Sequence, residues 1–84
     1  RRSRRLQVGK KFKKGDLIYV PAGCTLWYGI KRSNITPGEL IDKPTYGACI
    51  EDQVDGELYI KAKLNNFLLG YVDIREIYLA GEEV

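Results

Sequence analysis

Glu57-Leu58-Tyr59-Ile60-Lys61-Ala62-Lys63-Leu64 alternates without a fault between aliphatic and polar or aromatic residues. A period of two puts Leu58, Ile60, Ala62 and Leu64 on an inward face and Glu57, Tyr59, Lys61 and Lys63 on an outward one, the pattern of a half-buried β-strand. Turn signals close in from both sides. Asp55-Gly56 precedes the strand as a hairpin turn. Asn65-Asn66 follows it, and Asn tolerates the positive φ of a tight turn. A strand bounded this closely forces its neighbours to pair with it.

The remaining apolar runs are equally short. Asp16-Leu17-Ile18-Tyr19-Val20 lies between the breakers Lys14-Gly15 and Pro21-Ala22-Gly23 and predicts a strand. Cys24 to Ile30 is a second run, centred on Trp27, which is expected in the core. Tyr46-Gly47-Ala48-Cys49-Ile50-Glu51 predicts a strand with Tyr46, Ala48 and Ile50 on one face. Phe67 to Val72 predicts the strand returning from Asn65-Asn66, with Gly70 marking a bulge or bend. Asp73-Ile74-Arg75-Glu76 predicts a single helical turn, and Ile77-Tyr78-Leu79 a last short strand. Residues 31–44 are expected to form a loop with at most a short helical turn. Thr36-Pro37-Gly38-Glu39 suits either a capped helix start or a Pro-Gly turn, and Pro44 ends any helix soon after.

The expected fold is therefore all-β, with five to six short strands and one short helical turn. A chain of 84 residues buries a modest core. Small chains with this pattern close into barrels, which remove exposed strand edges. The expected organisation is a flexible basic arm over residues 1–10, a β-barrel domain over 11–80 and a tail over 81–84.

Phe12-Lys13-Lys14-Gly15-Asp16-Leu17-Ile18-Tyr19-Val20 resembles the Phe-x-x-Gly-Asp-x-Ile-x-Val strand of Src-homology-3 domains. Leu58-Tyr59-Ile60-Lys61-Ala62-Lys63-Leu64 is similar to the Trp-Tyr-Lys-Val-Lys strand of the bacterial members. Gly70-Tyr71-Val72-Asp73-Ile74-Arg75-Glu76-Ile77-Tyr78-Leu79 looks like the close of that fold, a Gly-Tyr-Val strand followed by a helical turn and a short final strand. The more specific likeness lies in the C-terminal half. The Ala-Leu-Tyr-Asp-Tyr motif that lines the family's proline-peptide groove is absent. Leu58-Tyr59 also stands where eukaryotic members carry paired Trp. The resemblance thus implies a Src-homology-3-like small β-barrel, without proline-peptide or cell-wall binding.

Arg1, Arg2, Arg4, Arg5, Lys10, Lys11, Lys13 and Lys14 place eight positive charges and no acid in residues 1–14. The rest of the chain holds six bases against eleven acids, a balance of −5. A basic arm on an acidic body points to an anionic partner for the arm. Every apolar-periodic segment lies beyond residue 14, so removing residues 1–14 is expected to leave the fold intact. On the barrel, Tyr59 faces outward beside Lys61 and Lys63, an arrangement able to stack on bases or hold a peptide. The favoured reading is a protein-interaction or assembly module that docks on a partner protein while its arm contacts an anionic surface. The alternative is a nucleic-acid-binding barrel, with the arm on phosphates and Tyr59, Lys61 and Lys63 on the bases. Glu51, Asp52, Asp55 and Glu57 oppose it, because an acidic loop repels a phosphate backbone.

The chain is expected to be non-enzymatic and to need no cofactor. It has no His, the commonest general base and metal ligand. Cys24 and Cys49 each sit in an apolar run and are expected as buried free thiols, which are inert. Structural zinc takes four Cys or His ligands, and this chain has two. Glu51 to Glu57 resembles half a calcium loop, but Val54 stands where an oxygen ligand is needed. No run approaches the ~20 apolar residues of a membrane span. No apolar segment follows the opening arginines, so an intracellular place, or one within a larger assembly, is expected. The oligomeric state stays open.

Overall fold

A computed structural model describes residues 11–80. The β-branched and aromatic runs between breakers form seven strands: β1 Leu17–Val20, β2 Thr25–Tyr28, β3 Thr36–Leu40, β4 Thr45–Cys49, β5 Tyr59–Leu64, β6 Leu68–Asp73 and β7 Tyr78–Leu79. They form one antiparallel sheet in the order β3-β2-β6-β5-β4-β1-β7. Asn65 and Asn66 adopt positive φ of 54° and 66° at the β5–β6 turn, as their residue type predicts. The Glu57 N–H donates to Val54 O and closes the Asp55-Gly56 turn.

The inner face carries a single core. Ile18 and Val20 of β1, Leu26 of β2, Cys49 of β4, Ile60, Ala62 and Leu64 of β5 and Val72 of β6 converge there with Phe12, Cys24, Ile41 and Ile77. The sheet must curl for strands this far apart to share one cluster. Its ends also approach: the Cys24 thiol, just before β2, donates to Glu76 O at 3.7 Å, just before β7.

Several expectations need correction. There are seven strands, not five to six. Among the described residues the strands lie in one open sheet whose edges are β3 and β7. The extra strand is β3, in the stretch expected as a loop or short helical turn. Every residue of β3 is exposed, so no buried face marks it in the sequence. Its partner β2 supplies the order, and Pro37 is tolerated because β3 is an edge. Asp73 to Glu76, expected as a single helical turn, forms one hydrogen-bonded turn and no helix. The Asp73 side chain captures the Arg75 N–H at 2.9 Å, and Glu76 N–H donates to Asp73 O at 3.0 Å.

Gly70 makes no bulge, since the β5–β6 register runs unbroken through Ala62–Gly70. A Cβ there would lie 2.7 Å from Trp27 O and 2.8 Å from Leu26 Cδ1. Gly70 therefore provides room for β2 to close over β6, where a single pair, Trp27–Tyr71, joins the two strands. Leu58, expected inward, is largely exposed because the paired register begins only at Tyr59.

The expectation that residues 1–14 can be removed also changes. Phe12 is only 3% exposed and belongs to the core. Residues 1–14 are therefore not dispensable as a block. The expected arm over 1–10 and tail over 81–84 lie outside the described residues.

Candidate interaction face

Residues directly opposite in an antiparallel ladder share a face. The outer face can therefore be followed from strand to strand. One row runs Tyr78 (β7), Tyr19 (β1), Tyr46 (β4). The next runs Leu17 (β1), Ala48 (β4), Lys63 (β5), Leu69 (β6). A third runs Lys61 (β5), Tyr71 (β6), Trp27 (β2), Pro37 (β3).

The three rows differ in what they leave open. In the third row, Lys61 Nζ sits 5.7 Å from the centroid of the Tyr71 ring. Trp27 meets Tyr59 edge-on at 5.6 Å. Tyr71 is buried beneath these neighbours but stands outside the core cluster. Trp27, expected in the core, instead anchors this small external cluster, because Leu26 and not Trp27 takes the inward position on β2. In the first row, Tyr19 contacts Tyr46 at 5.3 Å and Tyr78 at 6.3 Å between ring centroids.

The second row is the open one. Leu17 is 65% exposed and Leu69 45%, and Tyr46, next to Leu17 in the same depression, is 56% exposed. Leu17, Tyr46, Gly47, Ala48 and Lys63 line an open depression of about 280 Å³, with Asn65 and Asn66 at its rim. Gly47 lies between the core residues Ile18 and Leu64 in the ladder, and a Cβ there would lie 2.5 Å from Leu64 Cδ2 and 2.6 Å from Lys63 O, so a larger residue would disturb the packing of β4 on β5.

Of the barrel-surface residues expected from alternation, Tyr59, Lys61 and Lys63 do share the outer face. They do not converge on one ligand site. Tyr59 is occupied by Trp27, and Lys61 by Tyr71. Lys63 alone borders the depression.

Of the basic N-terminal residues, Arg1, Arg2, Arg4, Arg5 and Lys10 lie outside the described residues. Lys11 is ion-paired with Asp55. The backbone N–H of Lys13 donates to Asp16 Oδ2, and that of Lys14 to Asp52 Oδ1, each at 2.9 Å. Residues 11–14 are thus stapled to the acidic loop. That loop is also held by Arg32, which pairs with Glu51 and lies 4.0 Å from Glu57. Glu51 accepts the Lys61 N–H as well, at 3.2 Å.

Sequence reasoning missed Leu17, Tyr46 and Leu69. The alternation Leu17-out, Ile18-in, Tyr19-out, Val20-in was available in the first strand. The meeting of Leu17 with Lys63, 46 positions on, depends on register across β4.

Both cysteines are free and buried. Burial pushes the Cys24 thiol up to about 11, with Glu76 adding to the shift. Burial likewise raises Cys49 to about 12, helped by Asp16 and Glu51. Both are neutral thiols near pH 7 and poor nucleophiles. Among the described residues no group of three or more His, Cys, Asp or Glu gathers as a metal site. No helix among them is long and apolar enough to cross a membrane. Comparison with known proteins finds no match among family models, curated proteins or solved structures.

Proposed function

We propose that this chain is a non-enzymatic protein-interaction or assembly module. Its curled sheet is a variant of the Src-homology-3-like barrel, and its basic N-terminal residues contact an anionic partner. The observation that carries this reading is the pair of exposed apolar side chains, Leu17 and Tyr46, that line an open depression on the outer face. Exposed apolar side chains gathered at a depression mark a place where another molecule sits. The acidic loop supports it further. Lys11 is ion-paired within the domain, so the basic side chains of residues 1–14 left for a partner are Arg1, Arg2, Arg4, Arg5, Lys10, Lys13 and Lys14.

The test is photo-crosslinking in cells from a benzophenone amino acid placed at Leu69, compared with the same probe at Glu39 on the edge strand β3. Protein adducts from position 69 and not from 39 are expected. Adducts to RNA or DNA from position 69, or equal adducts from both positions, would overturn the reading. A salt titration against mixed RNA and DNA, with and without residues 1–10, separates the nucleic-acid alternative. Phosphate binding by the arm falls steeply with salt, by about 0.9 in log–log slope for each phosphate neutralised on duplex DNA.

A further inference from the structure

We propose that the depression beside Lys63 receives an apolar side chain from an acidic peptide segment of the partner. This rests on the interaction-module reading and specifies its chemistry. The floor and walls are Ala48, Gly47, Leu17 and Tyr46, drawn from β1 and β4. At about 280 Å³ the depression lies just under the ~300 Å³ where small-molecule sites begin, and it suits an amino-acid side chain better than a cofactor. Asn65 and Asn66, which also line it, each carry an amide donor and acceptor of the kind a peptide backbone pairs with.

Charge selects the sign of the partner. Lys63, like Lys13, Lys14, Lys31, Lys43 and Lys61, has no ion pair among the described residues, and it is the one charged side chain that lines the depression. Its ladder neighbours on the outer face are Ala48 and Leu69, and the next β5 residue on that face is Lys61. The row that holds Lys63 contains no carboxylate. A carboxylate one or two residues from an apolar anchor would complete Lys63.

The same geometry disfavours a nucleic acid. Tyr19 is covered by Tyr46 and Tyr78, the depression is walled by aliphatic groups as much as by rings, and one unpaired cation lines it. A base platform needs open ring faces and a run of cations.

The experiment is a residue-resolved NMR titration of the full chain with the capped peptide Glu-Glu-Leu-Glu-Glu. Glu-Glu-Ala-Glu-Glu, Lys-Lys-Leu-Lys-Lys and a mixed-sequence RNA oligonucleotide serve as comparisons. Saturable shifts at Leu17, Tyr46, Ala48 and Lys63 with the first peptide only are expected. The variant Lys63→Glu, whose site is exposed, should weaken that binding by about fivefold or more. The proposal is overturned if these amides stay still, respond equally to the alanine or lysine peptide, or respond to RNA instead. Shifts confined to residues 1–10 would remove this site while leaving the anionic-partner reading of the arm in place. No shift anywhere with peptide or RNA would count against both.

Discussion

Phe12 and Gln53 hold each other reciprocally. The Phe12 N–H donates to Gln53 Oε1 at 3.0 Å, and the Gln53 N–H donates to Phe12 O at 2.8 Å. This clamp ties the N-terminal segment to the β4–β5 connection and seats the Phe12 ring in the core. Removing residues 1–10 should therefore leave the denaturation midpoint nearly unchanged. Removing 1–14, or making Phe12→Ala, should cost about 3–5 kcal/mol. Urea unfolding followed by Trp27 fluorescence checks this, and equal stability of the two truncations would show that Phe12 is not core.

The two faces of β5 should respond oppositely to charge. Ile60 is fully buried, so Ile60→Asp places an unpaired carboxylate in the core and should abolish folding. Lys63→Asp lies at an exposed site and should change stability by no more than about 0.5 kcal/mol. Circular dichroism melts of the two variants decide the matter, and similar melts would refute the facing of the strand.

Asp73 should support stability against acid. The Arg75 guanidinium, donating from Nε at 3.0 Å and Nη2 at 2.6 Å, holds its carboxyl below the usual value against an opposing effect of burial. A lowered folded value means that the contribution is present above the unfolded carboxylate value of 3.8 and is lost as pH falls through the folded one. Arg75 is exposed, and solvent screening keeps the contribution small. Asp73→Asn should be less stable than the parent at pH 7, with the gap closing below the usual carboxylate range. A constant gap across a pH series of urea midpoints would contradict the clamp.

The buried thiols predict the alkaline limb. Both folded values are raised above the ordinary 9.0, so stability is whole below pH 9 and is lost as pH rises towards 11 for Cys24 and 12 for Cys49. Cys49→Ala should flatten that decline. Both thiols should resist a disulfide reagent at pH 8 and react fully in denaturant. Rapid reaction of the native chain would mean that these groups are reachable.

Local sequence was informative wherever a residue's state is decided by its immediate neighbours. The Asn65-Asn66 turn and the inward Ile60, Ala62 and Leu64 follow from type and alternation alone. β3 was not legible, because a strand exposed along its whole length has no alternation to display. The turn after β6 was legible as a turn, and the Asp73 carboxylate on the Arg75 N–H with the Glu76 N–H on Asp73 O closes it.

The same division runs through the candidate site. By itself the sequence determined an all-β chain, the uneven charge and the outward placement of Tyr59, Lys61 and Lys63. Tertiary structure decided which of these is available: Tyr59 is taken up by Trp27, Lys61 by Tyr71, and Lys63 opens on a depression shared with Leu17 and Tyr46. The physical reason is register. Alternation sets the face of a side chain within its own strand, whereas its neighbours across the sheet are set by backbone hydrogen bonds to segments far away in the chain.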